Sequence, residues 1–94
     1  GQDHLDLANP LVNIGGIYLK LKDHEKARQF FERALKLSIA GFQTTDHPTV
    51  AMIQLQLARA EAMCGLYSQA YEHSATAYQF YSRRFGQQHT LTQD

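Results

Sequence analysis

Cysteine is almost missing from this sequence: Cys64 stands alone, which excludes an intrachain disulfide framework and suits a reducing, intracellular compartment. A run of about eighteen apolar residues is missing too, as is a charged-then-apolar leader, so neither membrane insertion nor a secretion signal is expected, and a cytoplasmic placement follows. Charge of one sign is also absent. Nine basic residues balance nine acidic ones, so no long-range field draws the whole molecule to nucleic acid or an anionic membrane, and any ligand has to be recognised locally. No strand-like alternation runs through the chain. Its 94 residues suffice for one domain with a modest core.

What the chain does have is helical periodicity. Between residues 8 and 41, Leu11, Ile14, Gly15 and Tyr18 share one stripe of a 3.6-residue period, and Ala27, Phe31 and Ala34 open a second. Small residues inside an apolar stripe let two helix backbones approach closely, while Tyr18 and Phe31 fill the space beside them. The pattern predicts a helical hairpin. A helix is expected to start after Asp6, with Pro10 in its first turn, and to run to Lys22. Asp23 then caps a second helix over 24–41 that Gly41 ends.

The pattern recurs. Gly1-Gln2-Asp3-His4, Thr45-Asp46-His47-Pro48 and Gly86-Gln87-Gln88-His89 place three linker histidines at spacings of 43 and 42 residues. The boundaries expected are repeat one at 4–46, repeat two at 47–88, and the start of a further linker and helix at 89–94. In repeat two a third helix is expected over 48–64 with Asp46 or Thr45 as cap, a turn at Gly65, and a fourth helix over 68–85. Because the chain begins and ends at equivalent places in the repeat, a cut from a longer array is expected. Tyr78, Phe80, Tyr81 and Phe85 are expected to leave the last helix greasy, so that the isolated chain associates end to end.

The order Leu11, Ile14, Gly15, Tyr18, Ala27, Phe31, Ala34 at these spacings closely resembles the tetratricopeptide repeat. The long repeat and its Asp-His-Pro type linker resemble the repeats of kinesin light chains and of the clustered-mitochondria family. The resemblance implies an all-α fold class, two tandem helix-turn-helix hairpins of an α-solenoid, with protein or peptide binding as the job and no catalysis.

The second repeat departs from the first. Forty-three residues beyond Tyr18 stands Glu61, and the same offset takes Phe31 to Ser74 and Leu11 to Gln54. A half-buried carboxylate costs several kcal/mol unless hydrogen-bonded. Glu61 and Ser74 are expected to face each other, with Ser74, His73 or Tyr71 as donor to the carboxylate; relaxed terminal packing and a polar ligand pocket are the two readings of that pair.

Catalytic and metal chemistry find no support in the spacing. His4, His47 and His89 lie one repeat apart and cannot converge on one ion, while His24 and His73 form no His-x-x-x-His or Cys-x-x-Cys pair. Cys64 with His73 lacks a third orienting group. No cofactor and no metal are expected.

The candidate site is therefore a surface. Asn9, Asn13, Gly16 and Lys20 form one stripe on the first helix, and the same offset gives Met52, Gln56, Arg59 and Met63 on the third. In tetratricopeptide-like arrays this face lines a concave groove, and Asn13 falls where kinesin-light-chain-like repeats often carry an asparagine. The rival reading is RNA binding, suggested by the clustered-mitochondria resemblance and by Lys20, Arg59, Arg83 and Arg84; zero net charge counts against it.

Overall fold

The computed structural model describes the backbone of residues 1–93 and the side chains of residues 1–86. It consists of α1 (Gln2–Lys20), α2 (His24–Phe42), α3 (Pro48–Met63) and α4 (Tyr67–Gln93). Each helix packs on the next in two tandem hairpins, and α2 forms the middle layer between α1 and α3.

The turns of the two hairpins obey the repeat. Lys22 (φ 64°) and Gly65 (φ 82°) stand at equivalent places, and both are left-handed. Only glycine takes that conformation without cost, so the first turn is the strained copy of the second. Asp23 caps α2 by accepting a hydrogen bond from Lys26 N at 3.3 Å.

Four helix ends differ from expectation. The first helix starts at Gln2, ahead of Asp6, so Pro10 sits inside α1. Leu5 explains the extra turn, because it fills a slot on α2 at Gly41, where an added Cβ would lie 2.6 Å from Leu5 Cδ2. Gly41 accordingly continues α2 as a close-approach site, and Gln43 takes the left-handed terminal position at φ 59°. At α3 the cap is His47 rather than Asp46 or Thr45: its Nδ1 accepts from Thr49 N at 3.0 Å, and its ring stacks on Phe42 with centroids 3.6 Å apart. Pro48 at the first helical position makes the residue before it the cap, which puts Asp46 one place too early. Asp46 instead accepts from Arg83 of α4 at 3.2 Å.

The fourth difference concerns the end of α4. The helix runs through Gly86 to Gln93, where a linker was expected after Phe85. The stretch Gly86-Gln87-Gln88-His89 has neither the acidic cap nor the proline that stops the chain before α3, and glutamine propagates a helix well. The His89 side chain lies outside the described residues.

The main core joins both hairpins. Ala27, Phe31, Ala34 and Leu35 of α2 meet Val50, Ile53, Leu57 and Ala60 of α3, with Leu11, Val12, Tyr18 and Leu19 of α1 packed beneath. Gly15 is what admits Phe31: a Cβ there would lie 2.8 Å from the Phe31 ring, which is only 1% exposed. A smaller cluster of Ala51, Ala77 and Phe80 holds α3 to α4. Phe80 is therefore core, whereas Tyr67, Tyr71, Tyr78 and Phe85 of α4 are left in solvent.

Candidate partner-binding groove

α3 spends one face on its partner helix α4 and one on α2 of the neighbouring hairpin, which leaves a third face free, while α1 packs on α2. On α3 the division is explicit. Val50, Ile53 and Leu57 are buried toward α2, Ala51 and Leu55 pack toward α4, and Met52, Arg59 and Met63 stay exposed beside half-buried Gln56. The same offset on α1 leaves Asn9, Asn13 and Lys20 exposed and Gly16 half-buried.

Two adjoining concavities lie on this face. The first, about 290 Å3, is lined by Val12, Asn13, Gly16, Ile17 and Lys20 of α1, by Phe31 of α2 and by Gln56 of α3. Gly16 has open space around it, so its missing side chain leaves room at the mouth. The second, about 330 Å3, is lined by Leu19, Lys20, His24, Arg59 and Met63. Lys20 belongs to both, so one groove passes across α1 and α3. Asn9 and Met52 stand outside the two cavities.

His24 and Leu19 were not among the residues singled out from sequence. His24 directly follows the Asp23 cap, where the left-handed turn at Lys22 folds the chain back toward Lys20, and the signal for it was that turn rather than any periodicity. Among the described residues no carboxylate lies within ion-pair distance of Lys20 or Arg59. The cationic end of the groove therefore has its charge available to a ligand. Two amides, Asn13 and Gln56, sit at the other end, each able to donate and accept.

Elsewhere charges are already engaged. Arg28 binds both Glu25 and Glu32 on α2, and this contact holds the Glu25 carboxyl below its usual range. Burial pushes the Cys64 thiol above its ordinary value, with the Glu25 carboxylate adding to the effect, so Cys64 is a poor thiolate and a poor nucleophile. His73 is not its base: the imidazole Nδ1 donates to Glu61 Oε1 at 2.9 Å. Glu61 is 1% exposed, and the expected facing pair with Ser74 gives way to this one. Ser74 instead opens onto a third concavity between α3 and α4, about 490 Å3, together with Leu55, Ala58 and Tyr78. Among the described residues no three His, Cys, Asp or Glu side chains gather as a metal site would need, and no helix is long and apolar enough to cross a membrane.

With this geometry in place, comparison with known proteins is informative for the first hairpin. The family model described as Tetratricopeptide repeat matches residues 1–40. No curated protein and no solved structure matches the chain. The matched stretch contains Gly15, Tyr18, Ala27, Phe31 and Ala34, the same residues that bring α1 onto α2. The chain folds as two tandem all-α hairpins, and the first of them is similar in sequence to the tetratricopeptide repeat.

Proposed function

We propose that this chain is a non-catalytic scaffold that binds an acidic, partly apolar peptide, extended or helical, along the concave face of α1 and α3. Tetratricopeptide repeats generally mediate protein–protein interaction. The observation that carries the reading is the position of Lys20 at the junction of two cavities, with amides on one side and Arg59, His24 and Met63 on the other. Amide side chains can hold a peptide backbone, an unpaired Lys and Arg can hold a carboxylate, and methionine adapts to varied apolar side chains. The arrangement suits one strand or helix running from the amide end to the cationic end.

The test is fluorescence polarisation with a labelled library of acidic peptides and their amidated counterparts, in which each Asp and Glu is replaced by Asn and Gln. Acidic members are expected to bind at least about tenfold more tightly, with the preference shrinking as salt rises. Equal binding of both sets removes the cationic end from the reading. Retention of RNA from extract, lost on nuclease treatment and combined with no peptide binding, replaces it with the nucleic-acid one.

A further inference from the structure

The exposed apolar residues of α1 and α4 match, position for position, an interface that the molecule already contains. α3 seats itself on α2 with Val50, Ile53, Leu57 and Ala60, all 1% exposed or less. One repeat earlier the same positions on α1 are Leu7, Pro10, Ile14 and Ile17, and there Leu7 and Ile17 are 59% and 57% exposed. The receiving side is duplicated as well. Leu35 of α2 lies beneath α3 at 9% exposure, while its counterpart on α4, Tyr78, is 63% exposed.

Two further details fit the same superposition. Phe42, at the end of α2, stacks on His47 at the start of α3. Their counterparts are Phe85, 52% exposed, and His4, also exposed. The volumes are complementary. Ser74 replaces Phe31 and leaves the concavity of about 490 Å3 between α3 and α4, whereas α1 carries Ile17 where α3 carries Ala60. The knob is larger where the hole is larger. Asp3 adjoins His4 and Arg84 adjoins Phe85 in sequence, exposed charges of opposite sign.

We propose that a second copy of this chain seats its α1 in the α3–α4 groove, head to tail, with His4 of the incoming copy stacked on Phe85. Such a contact joins two different surfaces, so each copy keeps one free face of each kind and the assembly grows beyond a dimer. The contact adjoins the concave groove, since Ile17 lines its first cavity and Gln56 and Arg59 also line the concavity between α3 and α4; Leu7 and Tyr78 line neither concave cavity, so substitutions there test this contact apart from peptide binding.

Sedimentation of residues 1–94 over a range of concentrations tests it. The unsubstituted chain should form species heavier than a dimer as concentration rises. Leu7→Glu and Tyr78→Glu should each weaken association by roughly thirtyfold or more, with circular dichroism unchanged because both positions are exposed. An equimolar mixture of the two variants should restore association but stop at a heterodimer, since only one intact pair of surfaces remains. Pro10→Glu with Phe85→Glu repeats the experiment should either first variant lose helix, both positions being exposed. A monomer at every concentration, undiminished association in both single variants, or a mixture that stays monomeric overturns the proposal.

Discussion

Glu61 and His73 form a hydrogen bond at the place where the first hairpin stacks Tyr18 on Phe30. The carboxylate and imidazole are 2.9 Å apart, and the two aromatic rings lie 5.5 Å apart at 14°. Both pairs join the first helix of a hairpin to the second, so one structural position is served by apolar stacking in one repeat and by a polar contact in the other. Removing His73 leaves a buried carboxylate without its partner. His73→Ala should therefore cost about 1–3 kcal/mol in urea denaturation. Glu61→Tyr combined with His73→Phe rebuilds the aromatic pair and should be more stable than the sum of the single effects by about 1–2 kcal/mol. Additive singles would mean that the two side chains act separately.

Gly15 and Gly16 are neighbours in α1 with opposite expected responses to alanine. A Cβ at Gly15 meets the buried Phe31 ring at 2.8–3.0 Å, whereas one at Gly16 meets nothing within 4 Å. Alanine gains about 1 kcal/mol of helix propensity at either site. Overpacking at Gly15 costs about 1–3 kcal/mol and should outweigh that gain, since Phe31 is held on all sides. Gly15→Ala should lower the melting temperature and Gly16→Ala should raise it; a rise for both would show that Phe31 can swing away.

The two hairpin turns offer a matched pair of exchanges. Lys22 pays for a left-handed backbone that Gly65 adopts freely. Lys22→Gly should stabilise by roughly 0.5–1 kcal/mol and Gly65→Ala should destabilise by a similar amount. Chemical denaturation of the two variants checks the signs, and identical signs would contradict the repeat equivalence of the turns.

Much of this architecture was legible in the sequence because it rests on periodicity. The stripes through Gly15, Tyr18, Ala27 and Phe31 dictate which faces of α1 and α2 meet, and the repeat offset carries that to α3 and α4 wherever the residue types persist. Helix ends were less legible because they are decided by single contacts. Leu5 reaching Gly41 extends α1, and Pro48 hands the cap to His47. Glu61 was legible as an exception and His73 as one of its three candidate donors; choosing His73 over Ser74 required seeing that Phe30, and not only Phe31, has a polar counterpart. The groove was legible as two stripes. The contribution of His24 was not, because it arrives through a turn whose left-handed residue is a lysine.

Cys64 should respond to pH as a half-buried thiol beside a carboxylate. Burial, followed by the nearby Glu25 carboxylate, raises its ionisation above the ordinary thiol range. Alkylation by iodoacetamide at mildly alkaline pH should be slower than for the urea-unfolded chain, and its pH profile should lie higher. Glu25→Gln should move the profile part of the way down. A folded value above the unfolded one means that this group's contribution to stability is complete below the unfolded thiol's range and is lost as pH rises through the folded one. Reactivity equal to that of the unfolded chain would remove the burial effect.

The last prediction concerns the groove. Asn13 and Gln56 share the first cavity and Arg59 lies in the second, with Lys20 common to both. If a peptide runs through both cavities, Asn13→Ala and Arg59→Ala together remove a backbone contact and a carboxylate contact, and binding should weaken by roughly 2–4 kcal/mol. The melting temperature should hardly change, since Asn13 and Arg59 are exposed. Lys20→Ala alone should cost nearly as much as the pair, because it interrupts the groove at its middle. Arg33→Glu with Lys36→Glu places equal or larger charge changes on the exposed outer side of α2 and should leave affinity within about twofold once salt screens the long-range effect. The comparison separates site from net charge: a groove that binds through contacts loses affinity only in the first set. Loss of binding in the outer-helix variant, with normal binding in the Asn13 and Arg59 double variant, would move the partner to the convex side.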